Sequence, residues 1–314
     1  MNRKNKKILV VCHDAGGAEV VSAWVKKNLR RYHVVCLAVG PAQTIFRRKG
    51  LGRYLLTDVS AAKEMMRGMS IDDSVITGTG WASDVERKFI GYAKKRGIKT
   101  ASYLDHWVNY RERFGYPGEN WQTGLPDEVW VGDLHALRLA CRLFGTMTAV
   151  KYVPNAYWPD LRRSYQAAKR ASKRPSDSLL FIDEPIAAKE GFNEFVVLQK
   201  LLDYLVSKNI KCRVIIRLHP SQPAHKYDTI IKTYRSRVRF RKAAKTFVQD
   251  LIVAKLVIGM QSMAMVNAAL CGKQTVSFIP NADANCPMPF KEIIKINDVS
   301  KLKKFICQKP EKKS

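Results

Sequence analysis

The chain has little acid. Its 314 residues carry 27 Asp and Glu against 55 Lys and Arg, a formal net charge of +28. An imbalance of this size points to a polyanionic partner, either nucleic acid or an anionic membrane leaflet, unless the charge serves solubility alone. The seven cysteines (Cys12, Cys36, Cys141, Cys212, Cys271, Cys286 and Cys307) form no CxxC pair and no metal-type spacing. Most sit inside apolar runs, and an odd number of scattered thiols reads as a reducing cytosol. No run of about 18 apolar residues is present, which excludes a helical membrane span. The apolar stretch from Leu251 to Met260 is short and holds Lys255. MNRKNKK leads straight into the first apolar run without the pattern of a signal peptide. Repeats of solenoid period and low-complexity tracts are missing too. The expectation is a cytoplasmic protein that can at most lie on the inner face of a membrane.

What is there suffices for two cores. Hydrophobic residues make up 46% of the sequence, and the length fits two domains of ordinary size. The basic residues punctuate the whole chain, as at Lys26-Lys27, Arg30-Arg31, Arg47-Arg48-Lys49, Lys94-Lys95-Arg96 and Arg162-Arg163. That pattern suits a folded protein with a basic face better than a disordered arm.

Short apolar runs alternate with amphipathic stretches, the signature of parallel sheets covered on both faces. The fold class expected is α/β, with two Rossmann-like domains. In the first half the pattern predicts strands at Lys7–Cys12, Val34–Val39, Ser74–Thr77, Thr100–Leu104, Glu128–Val131 and Ala149–Val153. It predicts helices at Ala18–Arg30, Ser83–Arg96 and Leu134–Phe144. The Arg-, Lys- and Ser-rich segment 158–177 lacks a clear apolar period and reads as a linker between domains 1–157 and 178–314. A second series follows, with strands at Leu179–Ile182, Cys212–Leu218, Val238–Phe240, Leu256–Ile258 and Thr275–Phe278. Its helices are expected at Glu190–Ser207, Phe247–Ala254 and Ser262–Cys271, with one more in the basic tail.

Chemistry-bearing residues collect at the carboxyl ends of these strands, where α/β sheets bind ligands. The first strand ends in HDAGGAE, His13 to Glu19. The spacing is not the dinucleotide GxGxxG. Asp14 either caps the next helix or, with His13, acts as a general base. Gly16 and Gly17 allow a tight turn and leave space for an approaching sugar. GTGWASDVE, Gly78 to Glu86, ends another strand, and its Ser83 reads as a helix cap. DHWVNYRERF, Asp105 to Phe114, gathers Asp105, His106, Trp107, Asn109, Tyr110 and Arg113 in one loop. It is either a packed surface loop or a sugar platform, since aromatic faces stack on rings while Arg and Asp fork onto hydroxyls and carboxylates. In the second half RLHP closes an apolar strand with Arg217, His219 and Pro220. A later strand runs into Gln261-Ser262 at a helix start, an anion-binding arrangement. FIDEP supplies Glu184, which could face ribose or phosphate.

These second-half elements resemble the nucleotide-binding domain of GT-B glycosyltransferases. The pairing of strand–HP with strand–Ser–helix resembles bacterial sialyltransferases, Kdo transferases and polyglycerolphosphate polymerases, which handle cytidine nucleotides. The resemblance implies two domains facing across a cleft, the acceptor on the first and the sugar nucleotide mainly on the second. It implies that His219 and Pro220 hold donor phosphate, with Arg217, Gln261 and Glu184 in the same nucleotide site. Ser262 would support phosphate or a donor carboxylate. Asp14 or Asp105 would deprotonate the acceptor hydroxyl, with His13 and His106 as substitutes. Gly16, Gly17, Trp107, Asn109, Tyr110 and Arg113 fall on the acceptor side. No cofactor and no metal is implied beyond the nucleotide sugar itself, favoured as a CMP-sugar. Asn267 stands where UDP-sugar 2-epimerases and many retaining transferases place a ribose-gripping Glu. The function expected is a glycosyltransferase acting on a glycan or lipid-linked acceptor in surface polysaccharide or lipopolysaccharide synthesis. A sugar-nucleotide hydrolase or 2-epimerase, and an RNA-binding or non-catalytic α/β protein, are the competing readings. Nucleic acid is disfavoured because no recognisable binding module is present.

Overall fold

A strand with residues buried on both faces needs helices on both sides, and β1 (Lys7–Cys12) is such a strand. Ile8, Val10 and Cys12 enter one apolar cluster, while Leu9 and Val11 enter another on the opposite face. The computed structural model describes residues 6–80, 83–172, 177–186, 192–280 and 286–306. They form two compact units divided between Tyr157 and Trp158.

Unit 1 contains β1, α1 (Ala15–Asn28), β2 (His33–Ala38), α2 (Pro41–Arg48), α3 (Val59–Arg67), β3 (Ser74–Thr77), α4 (Val85–Lys94), β4 (Lys99–Leu104), β5 (Glu128–Val131), α5 (Leu134–Phe144) and β6 (Ala149–Tyr152). Its six strands are parallel in the order β2-β1-β3-β4-β5-β6. Unit 2 contains most of α6 (Tyr157–Ala171), then β7 (Ser178–Ile182), α7 (Glu194–Ser207), β8 (Arg213–Arg217), α8 (Asp228–Tyr234), β9 (Arg239–Arg241), α9 (Phe247–Val253), β10 (Ala254–Gly259), α10 (Met263–Leu270), β11 (Gln274–Phe278), β12 (Ile293–Ile296) and α11 (Lys303–Ile306). Its parallel order is β12-β11-β10-β7-β8-β9.

The strands expected from sequence all form, to within two residues at their ends. The segment read as a linker does not stay irregular: residues 157–171 are helix α6. Its buried side is one narrow line, Leu161 and Tyr165 one turn apart, in a helix otherwise rich in Arg and Lys. So narrow a stripe, set among Arg, Lys and Ser, is easily read as a polar linker. Helices α2, α3 and α8 and strand β12 are not among the elements expected from the sequence. Residues 307–314 of the tail lie outside the described residues.

Helix α9 shows how unit 2 secures a short element. Thr246 accepts the Gln249 N–H, and the Gln249 side chain accepts the Thr246 N–H, a reciprocal capping box. Thr246→Ala should lower the unfolding free energy of the chain by about 1 kcal/mol in a urea titration, without changing its secondary structure.

Candidate functional site

Unit 1 leaves β1 for β2 on one side and returns to β3 on the other. The carboxyl ends of β1 and β3 therefore flank the reversal point where open α/β sheets bind ligands. Three loops converge there because they carry no side chains at the points of approach. A Cβ on Gly16 would lie 1.8 Å from Asp105 Oδ2, and one on Gly80 would lie 2.6 Å from Asp14 Cγ. A Cβ on Gly17 would meet the backbone of Gly78 and Thr79 at 3.2 Å. The expectation that Gly16 and Gly17 leave room for a sugar is corrected: these glycines admit the neighbouring loops.

Asp14 occupies the N-cap position of α1 but makes no side-chain cap bond. Its Oδ1 lies 2.7 Å from Nδ1 of His13, and both side chains are about one-fifth exposed (24% and 20%). The simple capping reading fails, and the two residues form an accessible His–Asp pair. Gly40, at φ 55°, lets His13 fit, since a Cβ there would lie 2.6 Å from Nε2. Asp105 is in a different state. It is ion-paired to Arg113 at 2.8 Å, with both side chains less than a tenth exposed. Arg113 also donates to the Thr79 carbonyl and hydroxyl at 3.2 and 3.1 Å. Expected on the acceptor, Arg113 instead clamps the β3 and β4 loops together.

The aromatic platform is corrected as well. Trp107 is 5% exposed and donates its indole N–H to Asp133, while Tyr110 is 2% exposed and stacks on Phe144. Phe114 and Trp121 pack edge-on against the same Phe144 ring, so these aromatics build a satellite core over α5. His106 accepts the Trp107 N–H at Nδ1, and Asn109 is exposed at φ 58°. Ser83 accepts the Val85 N–H at 3.1 Å but stands one residue before the N-cap position of α4, which Asp84 occupies without a side-chain cap bond. Trp81 and Ala82 of that loop lie outside the described residues.

Sequence reading passed over Glu86. In the first turn of α4 it is 3% exposed, its Oε1 accepts the His13 N–H at 2.7 Å, and its Oε2 has no partner among the described residues. Burial pushes its carboxyl up to about 7, a shift that the charge of Asp14 enlarges and the His13 N–H opposes. A Glu in a first helical turn looks like an ordinary dipole partner, so no signal in the sequence separated it.

In unit 2 the reversal lies between β7 and β10. Glu184, after β7, accepts the backbone N–H of Gln261, after β10, at 2.9 Å. Ser262 caps α10 by accepting the Ala264 N–H. His219 follows β8, its Nδ1 2.7 Å from the Ser221 hydroxyl, and the neighbouring Pro220 is exposed. Its backbone N–H is held by Asp183, a residue the sequence did not single out. Asp183 is 1% exposed and also takes the Tyr227 hydroxyl at 2.6 Å and Lys226 Nζ at 2.9 Å; Lys226 reaches Glu194 at 2.6 Å. Burial, then the Asp183 carboxylate, pushes the Tyr227 hydroxyl far above its ordinary range. Arg217 is ion-paired to Asp250 at 2.6 Å and donates to the Ala244 carbonyl. In α10, Asn267 Oδ1 is buried without a partner among the described residues. Among the described residues no group of three or more His, Cys, Asp or Glu is placed to hold a metal ion.

Because Glu86 holds its proton more tightly in the folded chain than in the unfolded one, its contribution falls as pH rises from about 4.5 to about 7. Glu86→Gln, which keeps an acceptor for the His13 N–H, should remove this loss. The variant should be more stable than the parent at pH 8, by roughly 1–3 kcal/mol, and indistinguishable from it near pH 4.5. Urea titrations at the two pH values read the difference.

No family model matches the sequence, and no curated protein does. Solved structures do match in three dimensions. The UDP-GlcNAc 2-epimerase from Methanocaldococcus jannaschii is 12% identical, with 98% of this chain and 93% of that one covered at a TM-score of 0.62. Anabaena Alr3699/HepE, in complex with UDP-glucose, is 13% identical over 96% and 88% of the two chains, TM-score 0.59. The UDP-GlcNAc 2-epimerase from Neisseria meningitidis, bound to UDP-GlcNAc, is 12% identical over 86% and 82%, TM-score 0.58. The chain therefore has the GT-B-like fold of two Rossmann-like domains, each built on a six-stranded parallel sheet.

Proposed function

We propose that this chain is a glycosyltransferase that moves a sugar from a nucleotide-sugar donor to a glycan or lipid-linked acceptor during surface polysaccharide or lipopolysaccharide synthesis. The observation that carries the reading is the reversal point of unit 2. There the Glu184 carboxylate sits beside the capped start of α10, with His219 on the end of an adjoining strand. A helix start suits phosphate and a neighbouring carboxylate suits ribose hydroxyls. His219 and Ser262 are assigned to the donor phosphates and Glu184 to the ribose. The donor is proposed to be a UDP-sugar rather than the CMP-sugar first expected, because the structures of like fold carry UDP-glucose and UDP-GlcNAc.

The acceptor's proton is assigned to Asp14 acting with His13. This pair is about one-fifth exposed, whereas Asp105 is buried and neutralised by Arg113. An imidazole held by a carboxylate is a competent base near neutral pH. A lipid-borne acceptor accounts for the exposed basic residues of unit 1, Lys26, Lys27, Arg30, Arg31, Arg47 and Arg48 among them. Among the described residues no helix is long and apolar enough to cross a membrane.

A UDP-sugar 2-epimerase or hydrolase is the second reading, favoured by two of the three structural neighbours and opposed by Asn267. Product analysis separates the two: transfer leaves the sugar on an acceptor, whereas the alternative inverts C2 or releases free sugar.

Thermal-shift titration with UDP, CMP, GDP and CDP tests the donor site. A ligand at 100 times its dissociation constant adds about 2.7 kcal/mol to stability. UDP should stabilise the chain, and His219→Ala should remove that effect while leaving the fold intact; undiminished UDP stabilisation would take His219 out of the site. Asp14→Asn keeps shape and loses basicity. Turnover should fall by about 10² to 10⁴ with UDP binding retained, and an active Asp14→Asn would end the proposed base.

A further inference from the structure

At the amino-terminal side of the unit 2 sheet lies an open hollow of about 740 Å³, lined by Arg213, Arg235, Arg239 and Arg241 together with Ile231, Val238 and Phe240. Its volume falls in the range of small-molecule sites. Arg213 and Arg239 open their strands as direct partners in the parallel register, and Arg241 lies two residues further on β9. Two like charges set side by side across a strand pair destabilise the free protein. Arg213 is shared with Asp177 at 2.7 Å, but among the described residues Arg235, Arg239 and Arg241 have no carboxylate partner. The edge position alone does not account for them. A charge on an edge strand discourages strand addition, but one charge of either sign serves that purpose. Here four arginines line one concavity, beside the edge strand β9. Sheet edges with free N–H groups and planar guanidinium forks both match phosphate oxygens.

We propose that this hollow is a second anion site, separate from the nucleotide site, which takes a group with clustered phosphate oxygens. The source is either a soluble phosphate ester or the headgroup of an anionic phospholipid. The ligand relieves the Arg213–Arg239 repulsion that the free fold carries, so binding is electrostatic and weakens with salt.

The test uses the full chain and the double variant Arg239→Gln/Arg241→Gln. Each titration is run without nucleotide and again with UDP, so that binding at a nucleotide site is recognised by its loss when UDP is present. One arm is calorimetric titration with inorganic pyrophosphate. The other is co-sedimentation with phosphatidylcholine vesicles, with and without phosphatidylglycerol. The parent should bind in at least one arm, and the double variant should bind at least about tenfold more weakly. Binding to pyrophosphate assigns the soluble source, and binding confined to phosphatidylglycerol vesicles assigns the lipid. Arg239→Lys/Arg241→Lys, which keeps the charge and loses the fork, should fall between parent and Gln variant. Equal binding by parent and Gln variant, or no binding by the parent in either arm, overturns the proposal. So does a Gln variant that aggregates while its soluble fraction binds as the parent does, because the arginines then only guard the edge. Should the Gln variant fail to fold, the arginine Nε–H resonances of the parent read the site directly. Addition of pyrophosphate or phosphatidylglycerol vesicles should shift those of Arg239 and Arg241, and unmoved resonances overturn the proposal equally.

Discussion

A carboxylate buried at the end of a parallel strand is tolerable only when a cation and hydrogen-bond donors are brought to it, and both units are organised around such a group. In unit 1 the group is Asp105, neutralised by Arg113, whose same nitrogen also holds the β3 loop through Thr79. In unit 2 it is Asp183, met by Lys226, the Tyr227 hydroxyl and the His219 N–H. The Asp183–Lys226 pair joins segments distant in sequence, whereas Arg113 lies in the same loop as Asp105 and reaches from there to Thr79 of the β3 loop; both arrangements help set the shape of the carboxyl edges.

Glu86 is the exception that shows the force of the rule. It is nearly as buried as Asp183, yet one of its oxygens lacks a partner among the described residues. The remaining way to lower the cost is to hold a proton, which is why its carboxyl titrates near neutrality. Its position behind His13 and Asp14 places a protonatable group directly beneath the accessible pair in unit 1.

The two sheets reverse differently, and the difference assigns distinct work to their edges. In unit 1 the first strand sits second from the end, so the reversal gathers the short β1 and β3 loops and needs glycines to let them meet. In unit 2 the first strand is central, and its reversal opposes Glu184 to the start of α10. The first arrangement makes a tight, polar nook; the second sets a carboxylate against a capped helix start.

The amino-acid sequence by itself determined the α/β class, the strands and the loops that carry polar chemistry. Those properties depend on local periodicity and on residue type, both visible along the chain. His13, Asp14, Glu184, Gln261, Ser262 and His219 could be named from the sequence because they follow apolar strands directly. It could not show that Trp107 and Tyr110 face inward, since burial depends on what packs above them, here Phe144 and α5. Nor could it show that Arg113 and Arg217 are engaged by Asp105 and Asp250, or that Asp183 meets Lys226 some forty residues later. Helix α6 escaped because its buried side is only one residue wide. Tertiary structure decided which charged groups are paired and which stay accessible, because pairing is settled by distance in space and desolvation by the neighbours that exclude water.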